Sequence, residues 1–269
     1  MKEVFTFHAG ESALLISIPH DGREIPDDIA ARMTAQGLAM PDTDWHVQRL
    51  YGFAESIGAS IIAANYSRYV VDLNRSPRDE ALYDAQVSTG LCPLQTFTGD
   101  DIYKDSEGID NEETGRRVAT YWEPYHARIT ERLAGIKKEF GYALLWDAHS
   151  IRSSVPRLFS GELPDLNVGT HDGRSCPAAV QRRVEEAAGM TGYSSVINGR
   201  FKGGYITRHY GKPDDGVYAV QLELAQRCYM DESTLVYDPD RAAQLATAIK
   251  ALLAAGRAGA RAGGLNADD

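Results

Sequence analysis

Five short apolar runs, each stopping at a polar or glycine-rich corner, constrain this chain more than any other feature: residues 13–18, 60–64, 69–73, 142–146 and 217–224. Runs of this length predict strands. Between them apolar positions recur at a helical period over roughly 44–57, 111–140, 177–188 and 239–255. Strands alternating with helices give an α/β layout, in which loops at the carboxyl ends of strands build the site. Asp110 and Glu113 form a capping box for the second helix, and Pro124 is expected to kink or break it. In the last helix Asp238 is the expected N-cap and Pro239 the first helical residue, followed by a stripe of Ala242, Leu245, Ile249 and Leu252 facing the sheet.

The 269 residues suffice for one large domain or two small ones, and no interior stretch resembles a linker. Residues 1–255 therefore read as a single α/β hydrolase-sized domain. The Gly-, Ala- and Arg-rich segment 256–269 reads as a disordered tail. The segments 74–110 and 152–176 are irregular and punctuated by glycine and proline, with room for short strands. No apolar run approaches the roughly 18 to 20 residues that span a bilayer. The start, MKEVFTFHAGES, lacks the pattern of a secretory signal, so a cytoplasmic location is expected.

Thirty-eight acidic against 28 basic residues give a net charge of −10, a field that repels nucleic acid and anionic lipid. An anionic substrate would need a local cluster of arginines. Cys92, Cys176 and Cys228 are odd in number and widely spaced, which argues against a disulfide framework or a thiolate zinc site. The chain also has no G-x-S-x-G elbow, no G-x-x-x-x-G-K-[ST] loop, no G-x-G-x-x-G fingerprint and no H-E-x-x-H helix.

What remains is a set of polar residues at strand ends. His20 follows the first run directly, and Asp147 and His149 close the fourth, on one face of their strand. Two such ends in one α/β chain favour a metal site, to which histidine and carboxylate ligands converge from different strands. Asp44 is a candidate third ligand, with helix capping as its alternative reading; Glu24, four residues after His20, competes for the role. Asn74 and Arg75 end the third run, and Arg152, Arg200 and Arg208 follow, the last two in a glycine-broken basic loop. Arginine forks suit a carboxylate substrate, while ion pairing with Asp72 or a solvated turn are the plainer alternatives. Gln221 and Glu223 share a face of the last strand. A carboxylate in so apolar a strand is costly unless paired with an arginine or used as a general base.

Taken in order, Ile-Pro-His20-Asp-Gly, Asp-Thr-Asp44-Trp, Val-Asp-Leu-Asn74-Arg75-Ser-Pro, Trp-Asp-Ala-His149-Ser-Ile-Arg152, Asn-Gly-Arg200-Phe-Lys-Gly-Gly-Tyr-Ile-Thr-Arg208-His-Tyr-Gly and Gln-Leu-Glu223-Leu resemble the N-formylglutamate amidohydrolase family. The resemblance runs from about Leu14 to Leu253, and the Asn-Gly-Arg200 stretch is its most specific part. It implies a three-layer α/β fold with a central mixed sheet flanked by helices, as in zinc carboxypeptidases and aspartoacylases. It also implies one divalent metal, zinc, and hydrolysis of the small anionic substrate N-formyl-L-glutamate to formate and L-glutamate, a step of bacterial histidine degradation. By the family pattern His20, Asp44 and His149 are the metal ligands, Glu223 the acid/base, and Arg75 with Asn74 the substrate-binding pair. The sequence Gly-Thr-His171-Asp-Gly departs from that pattern, and His171 reads as a variant loop residue rather than a fourth ligand. The rivals are a related metal-dependent amidohydrolase or carboxypeptidase acting on another N-acyl acidic amino acid, and a silent dicarboxylate binder.

Overall fold

The computed structural model describes residues 2–80, 89–104 and 108–265. Among them the strands are β1 (Phe5–His8), β2 (Leu14–Ile18), β3 (Ser60–Ala64), β4 (Ala143–Ile151), β5 (Leu166–Gly169), β6 (Ser195–Ile197) and β7 (Val217–Ala225). The α-helices are α1 (Asp27–Ala30), α2 (Ala35–Ala39), α3 (Val47–Leu50), α4 (Asn111–Arg117), α5 (Glu123–Phe140), α6 (Ala178–Gly189), α7 (Tyr205–Tyr210) and α8 (Pro239–Leu265).

The strands form one mixed sheet in the order β1-β3-β2-β4-β7-β5-β6. The central pairs β3/β2, β2/β4 and β4/β7 are parallel, while β1 and β5 join antiparallel to β3 and β7. Alternation splits each central strand between two cores. Leu14, Ile16, Leu144, Trp146, Val220 and Leu222 pack on one side with residues of α6 and α8, such as Val184 and Ile249. Leu15, Leu145 and Ala219 face the other way, toward Tyr125, Ile129 and Leu133 of α5. The result is the expected three-layer α/β architecture with a mixed sheet.

The chain leaves β2 for β3 on one side and then returns to β4 on the other. This places a topological switch point between β2 and β4, where open α/β sheets form a crevice at the carboxyl ends of the strands. His20 lies just beyond the end of β2, and His149 lies in the last third of β4.

Three local readings need correction. Residues 69–73 are a turn, not a strand: Val70 N donates to Ser67 O and Asp72 N to Leu91 O. Tyr69, Val70, Val71 and Leu73 are nevertheless buried, and a buried loop gives the same apolar run as a strand. The single helix expected over 44–57 is instead the short α3 and a 3-10 turn at Ala54–Ile57. The tail does not leave the fold at Gly256, because α8 continues to Leu265 with Ala260 fully buried. Gly259 lets α8 approach α6 closely, since a Cβ there would stand 2.7 Å from the Val180 Cα. Residues 266–269 of the expected tail, and 81–88 and 105–107 of the irregular segment 74–110, lie outside the described residues.

Both caps form as expected, Asp110 accepting from Glu113 N and Asp238 from the amides of Asp240 and Arg241. Pro124 does not break the helix between 111 and 140. A π turn at Val118–Trp122 immediately precedes it, and the chain stays helical through Pro124 into α5. No helix among the described residues is long and apolar enough to cross a membrane.

Candidate active site

The face of the sheet that α5 covers turns polar toward the strand ends. Cross-strand register places Ser17 beside Asp147, Asp147 beside Gln221, and His149 beside Glu223. All five are buried beyond the reach of solvent in bulk. Above them lies a cavity lined by His20, Asp44, Asn74, Arg75, His149 and Glu223, with a wall of Phe97, Ile151, Leu158 and Phe201.

His20, Asp44 and His149 converge, with one nitrogen or oxygen of each lying within 4.8 Å of the others. Nδ1 of both imidazoles faces Asp44 Oδ2, at 3.8 Å from His20 and 3.1 Å from His149. The far side of each ring meets a second carboxylate, Asp72 Oδ1 at 2.7 Å from His20 Nε2 and Asp147 Oδ2 at 3.1 Å from His149 Nε2. A carboxylate behind an imidazole fixes the ring and keeps the opposite nitrogen available as a donor. Two imidazoles and one carboxylate, 2–4% exposed and held from behind, fit a divalent metal ion.

The electrostatics agree with that donor set. Burial raises the pKa of Asp44, but His149 and His20 outweigh it and hold the carboxyl below its ordinary value. Burial acts against charge on His149 as well, and Asp147 and Asp44 outweigh it, keeping a proton on the ring well above the usual histidine range. A cation between the imidazoles would take over the role of that proton. His20 moves the other way, lowered by burial and by Arg68, so its ring is neutral without a cation beside it.

Asp44 does not cap a helix with its side chain. The orphan amides ahead of α3, His46 N and Gln48 N, are taken by Asp21 at 3.1 and 2.8 Å, which leaves Asp44 to accept from Ser150 N at 3.0 Å and to face the histidines. Glu24 points elsewhere and pairs with Lys2 at 2.6 Å.

Glu223 is 7% exposed, and its carboxylate has no hydrogen bond or ion pair among the described residues. Burial pushes its pKa up to about 8 against the opposing charge of His149. The arginine pairing considered as its structural explanation is not formed.

Of the four arginines, Arg75 and Arg200 line the cavity, whereas Arg152 and Arg208 are not among its lining residues. Arg75 Nε stands 4.0 Å from Asp72, and Arg200 Nε donates to Leu158 O at 2.8 Å with its guanidinium over Phe201. Arg208 Nε donates to Gly203 O within α7's own approach. Asn74 is committed: Oδ1 accepts from Ile206 N at 2.8 Å and Nδ2 lies 2.9 Å from His149 Nε2. Gly204 must lack a side chain, since a Cβ would stand 2.4 Å from Asn74 Nδ2. His171 heads a separate turn, its amide on Lys202 O, outside both the cavity lining and the convergent group.

The residue that sequence reasoning missed is Arg68. It is buried in the cavity wall, pairs with Asp72 at 2.6 Å and lies 3.8 Å from Asp44. Burial raises the pKa of Asp72, yet Arg68 and then His20 hold it well below the ordinary carboxylate range. The signal for it was an arginine and an aspartate four apart bracketing an otherwise apolar run.

Residues 12–230 match the family model for N-formylglutamate amidohydrolase. The chain is 52% identical to the N-formylglutamate deformylase of Pseudomonas aeruginosa over 255 residues, covering 94% of this chain and 96% of that protein. It is 48% identical to the N-formylglutamate deformylase of Pseudomonas putida over 257 residues, covering 95% and 96% respectively. The crystal structure of N-formylglutamate amidohydrolase from Ralstonia eutropha superimposes with a TM-score of 0.79 at 25% identity, covering 94% of this chain and 97% of that one.

Proposed function

From the premise that the chain belongs to the N-formylglutamate amidohydrolase family, we propose that it hydrolyses N-formyl-L-glutamate to formate and L-glutamate, with His20, Asp44 and His149 holding zinc. The observation that carries the reading is the buried Glu223 carboxyl, which is unpaired among the described residues and lies beside His149 in the strand register.

Zinc, when bound, supplies a Lewis acid that polarises the formyl oxygen and lowers the pKa of water. The chain's own residues divide the remaining work. Glu223, desolvated and without a competing partner among the described residues, takes a proton from the attacking water and returns one to the departing glutamate nitrogen. Proton transfer by a placed carboxylate typically contributes about 10²- to 10⁴-fold in rate. Arg75 and Arg200 offer planar guanidinium groups to the two substrate carboxylates, and the cavity wall of Phe97 and Phe201 keeps these charge pairs from bulk water. Arg68 sets a positive charge against Asp72 and Asp44 and so offsets part of the negative charge gathered in this buried centre.

Formate release from N-formyl-L-glutamate tests the reading when measured on the protein as isolated, after chelation and after zinc is restored. Activity that disappears and returns supports both the reaction and the metal site. Turnover indifferent to chelation keeps the substrate and removes the zinc, and no formate in any of the three conditions overturns the reaction.

A further inference from the structure

The segment carrying Asn74 and Arg75 is irregular, yet four backbone carbonyls along it are taken by donors from neighbouring helices. Arg117 Nη1 donates to Val70 O at 2.9 Å, His126 Nε2 to Leu73 O at 2.8 Å, and Trp122 Nε1 to Arg75 O at 3.0 Å. Tyr205 N from α7 reaches Asn74 O at 3.3 Å. The three side-chain donors come from α4, the π turn and α5, at spacings of five and four residues. In an uninterrupted α-helix, residues five apart diverge by about 140° around the axis. A turn bonded from i to i+5 takes in one more residue, so Arg117 and Trp122 come to share a face much as residues four apart do in an α-helix. The π turn is therefore what brings the indole over Arg75.

The indole is also held still. It stacks on His126 at 3.7 Å between ring centroids and tilts against Tyr205 at 5.7 Å. His126 is itself locked: a carbonyl can only accept, so Nε2 carries the hydrogen, and Nδ1 accepts from the Tyr210 hydroxyl at 2.9 Å. Burial pushes the pKa of His126 down to about 3, which preserves this neutral arrangement.

We propose that Trp122, backed by His126, is a positioning residue for substrate binding: its indole N–H fixes the Arg75 carbonyl and thereby sets where the Arg75 guanidinium meets a substrate carboxylate. The inference rests on Arg75 binding a carboxylate, as in the proposed function. Glutarate, a dicarboxylate without a scissile amide, separates the two.

Trp122→Phe keeps an aromatic ring against His126 and removes the N–H together with part of the indole's bulk. The expected result is a rise of about five- to tenfold in both KM for N-formyl-L-glutamate and Kd for glutarate, the size of one lost hydrogen bond, with kcat changed by less than about threefold. In an Arg75→Ala background the same substitution should add less than about twofold, because the group it positions is gone. A structural role alone would give the same factor in both backgrounds, and that result, or an unchanged KM and Kd, overturns the proposal. Should Trp122→Phe fail to fold, the cycle is run with His126→Phe, which removes the donor to Leu73 and is judged by the same criteria. A wild type that binds glutarate but releases no formate sinks the proposed reaction while the glutarate cycle still decides the role of Trp122. A wild type that binds no glutarate overturns the positioning role.

Discussion

At the scale of single residues, Glu223 has a cost and a use that can be measured separately. Glu223→Gln preserves shape and leaves His20, Asp44 and His149 in place, so zinc stoichiometry should be unchanged while kcat falls by about 10²- to 10⁴-fold. Retained kcat, measured by formate release, would remove Glu223 from the chemistry. The cost shows in the chelated protein. Burial raises the folded-state pKa to about 8, so between the ordinary glutamate value and 8 the native state holds a proton that the unfolded chain has released. The unfolded state then binds fewer protons, and stability falls as pH rises through that window. Chelated Glu223→Gln lacks this titration, and urea denaturation should find it more stable than the parent at about pH 9, by up to about 5 kcal/mol, and equal at about pH 4. Equal stabilities at both would mean that the carboxyl is ionised without penalty.

Among elements, two helical glycines make opposite predictions from the same substitution. Gly115 in α4 is exposed, with nothing within 4 Å of an added Cβ, so Gly115→Ala should stabilise by about 0.5–1 kcal/mol through helix propensity alone. Gly259 in α8 faces the backbone of Val180, and Gly259→Ala should destabilise despite the same propensity gain, because backbone atoms at 2.7–3.0 Å cannot give way singly. Thermal melts of the two variants decide this, and a stabilised Gly259→Ala would mean that the helices separate freely. The same contact explains why the end of the chain was misread. Glycine and alanine after residue 256 lack an apolar stripe and resemble a frayed tail, whereas close helix packing requires just such small residues. The central strands β2, β3, β4 and β7 were legible because burial on both faces writes a continuous apolar run. The edge strands β1 and β6 are short and only partly buried, and carry no such run. His20, Asp44, His149 and Glu223 were legible as polar interruptions at strand ends or loop entries. Arg68 was not, because a buried ion pair made by a turn looks in sequence like a surface arginine before a strand.

Across the whole molecule, metal binding, protonation and stability are one linked equilibrium, since the candidate ligands come from the end of β2, the loop ahead of α3 and the body of β4. A ligand that binds only the native state raises its stability, so chelation should lower Tm and zinc restore it. The proton count carries more information. Near neutral pH in the metal-free protein His149 holds a proton against burial because Asp147 and Asp44 surround it, and Glu223 is protonated by its burial. His20 is already neutral and Asp44 already ionised, so neither has a proton to give. Zinc must displace the His149 proton to ligate the ring, and its charge should ionise a carboxyl placed beside it. Calorimetric titration with zinc near pH 7, in two buffers of different ionisation enthalpy, should therefore register about one proton more for the wild type than for Glu223→Gln, with apparent affinity weakening on acidification in both. Equal release from the two proteins would place Glu223 outside the field of the ion and withdraw it as the acid/base. Release by Glu223→Gln that is near zero would instead mean either that His149 carries no proton to displace or that the ion sits elsewhere than between the two imidazoles.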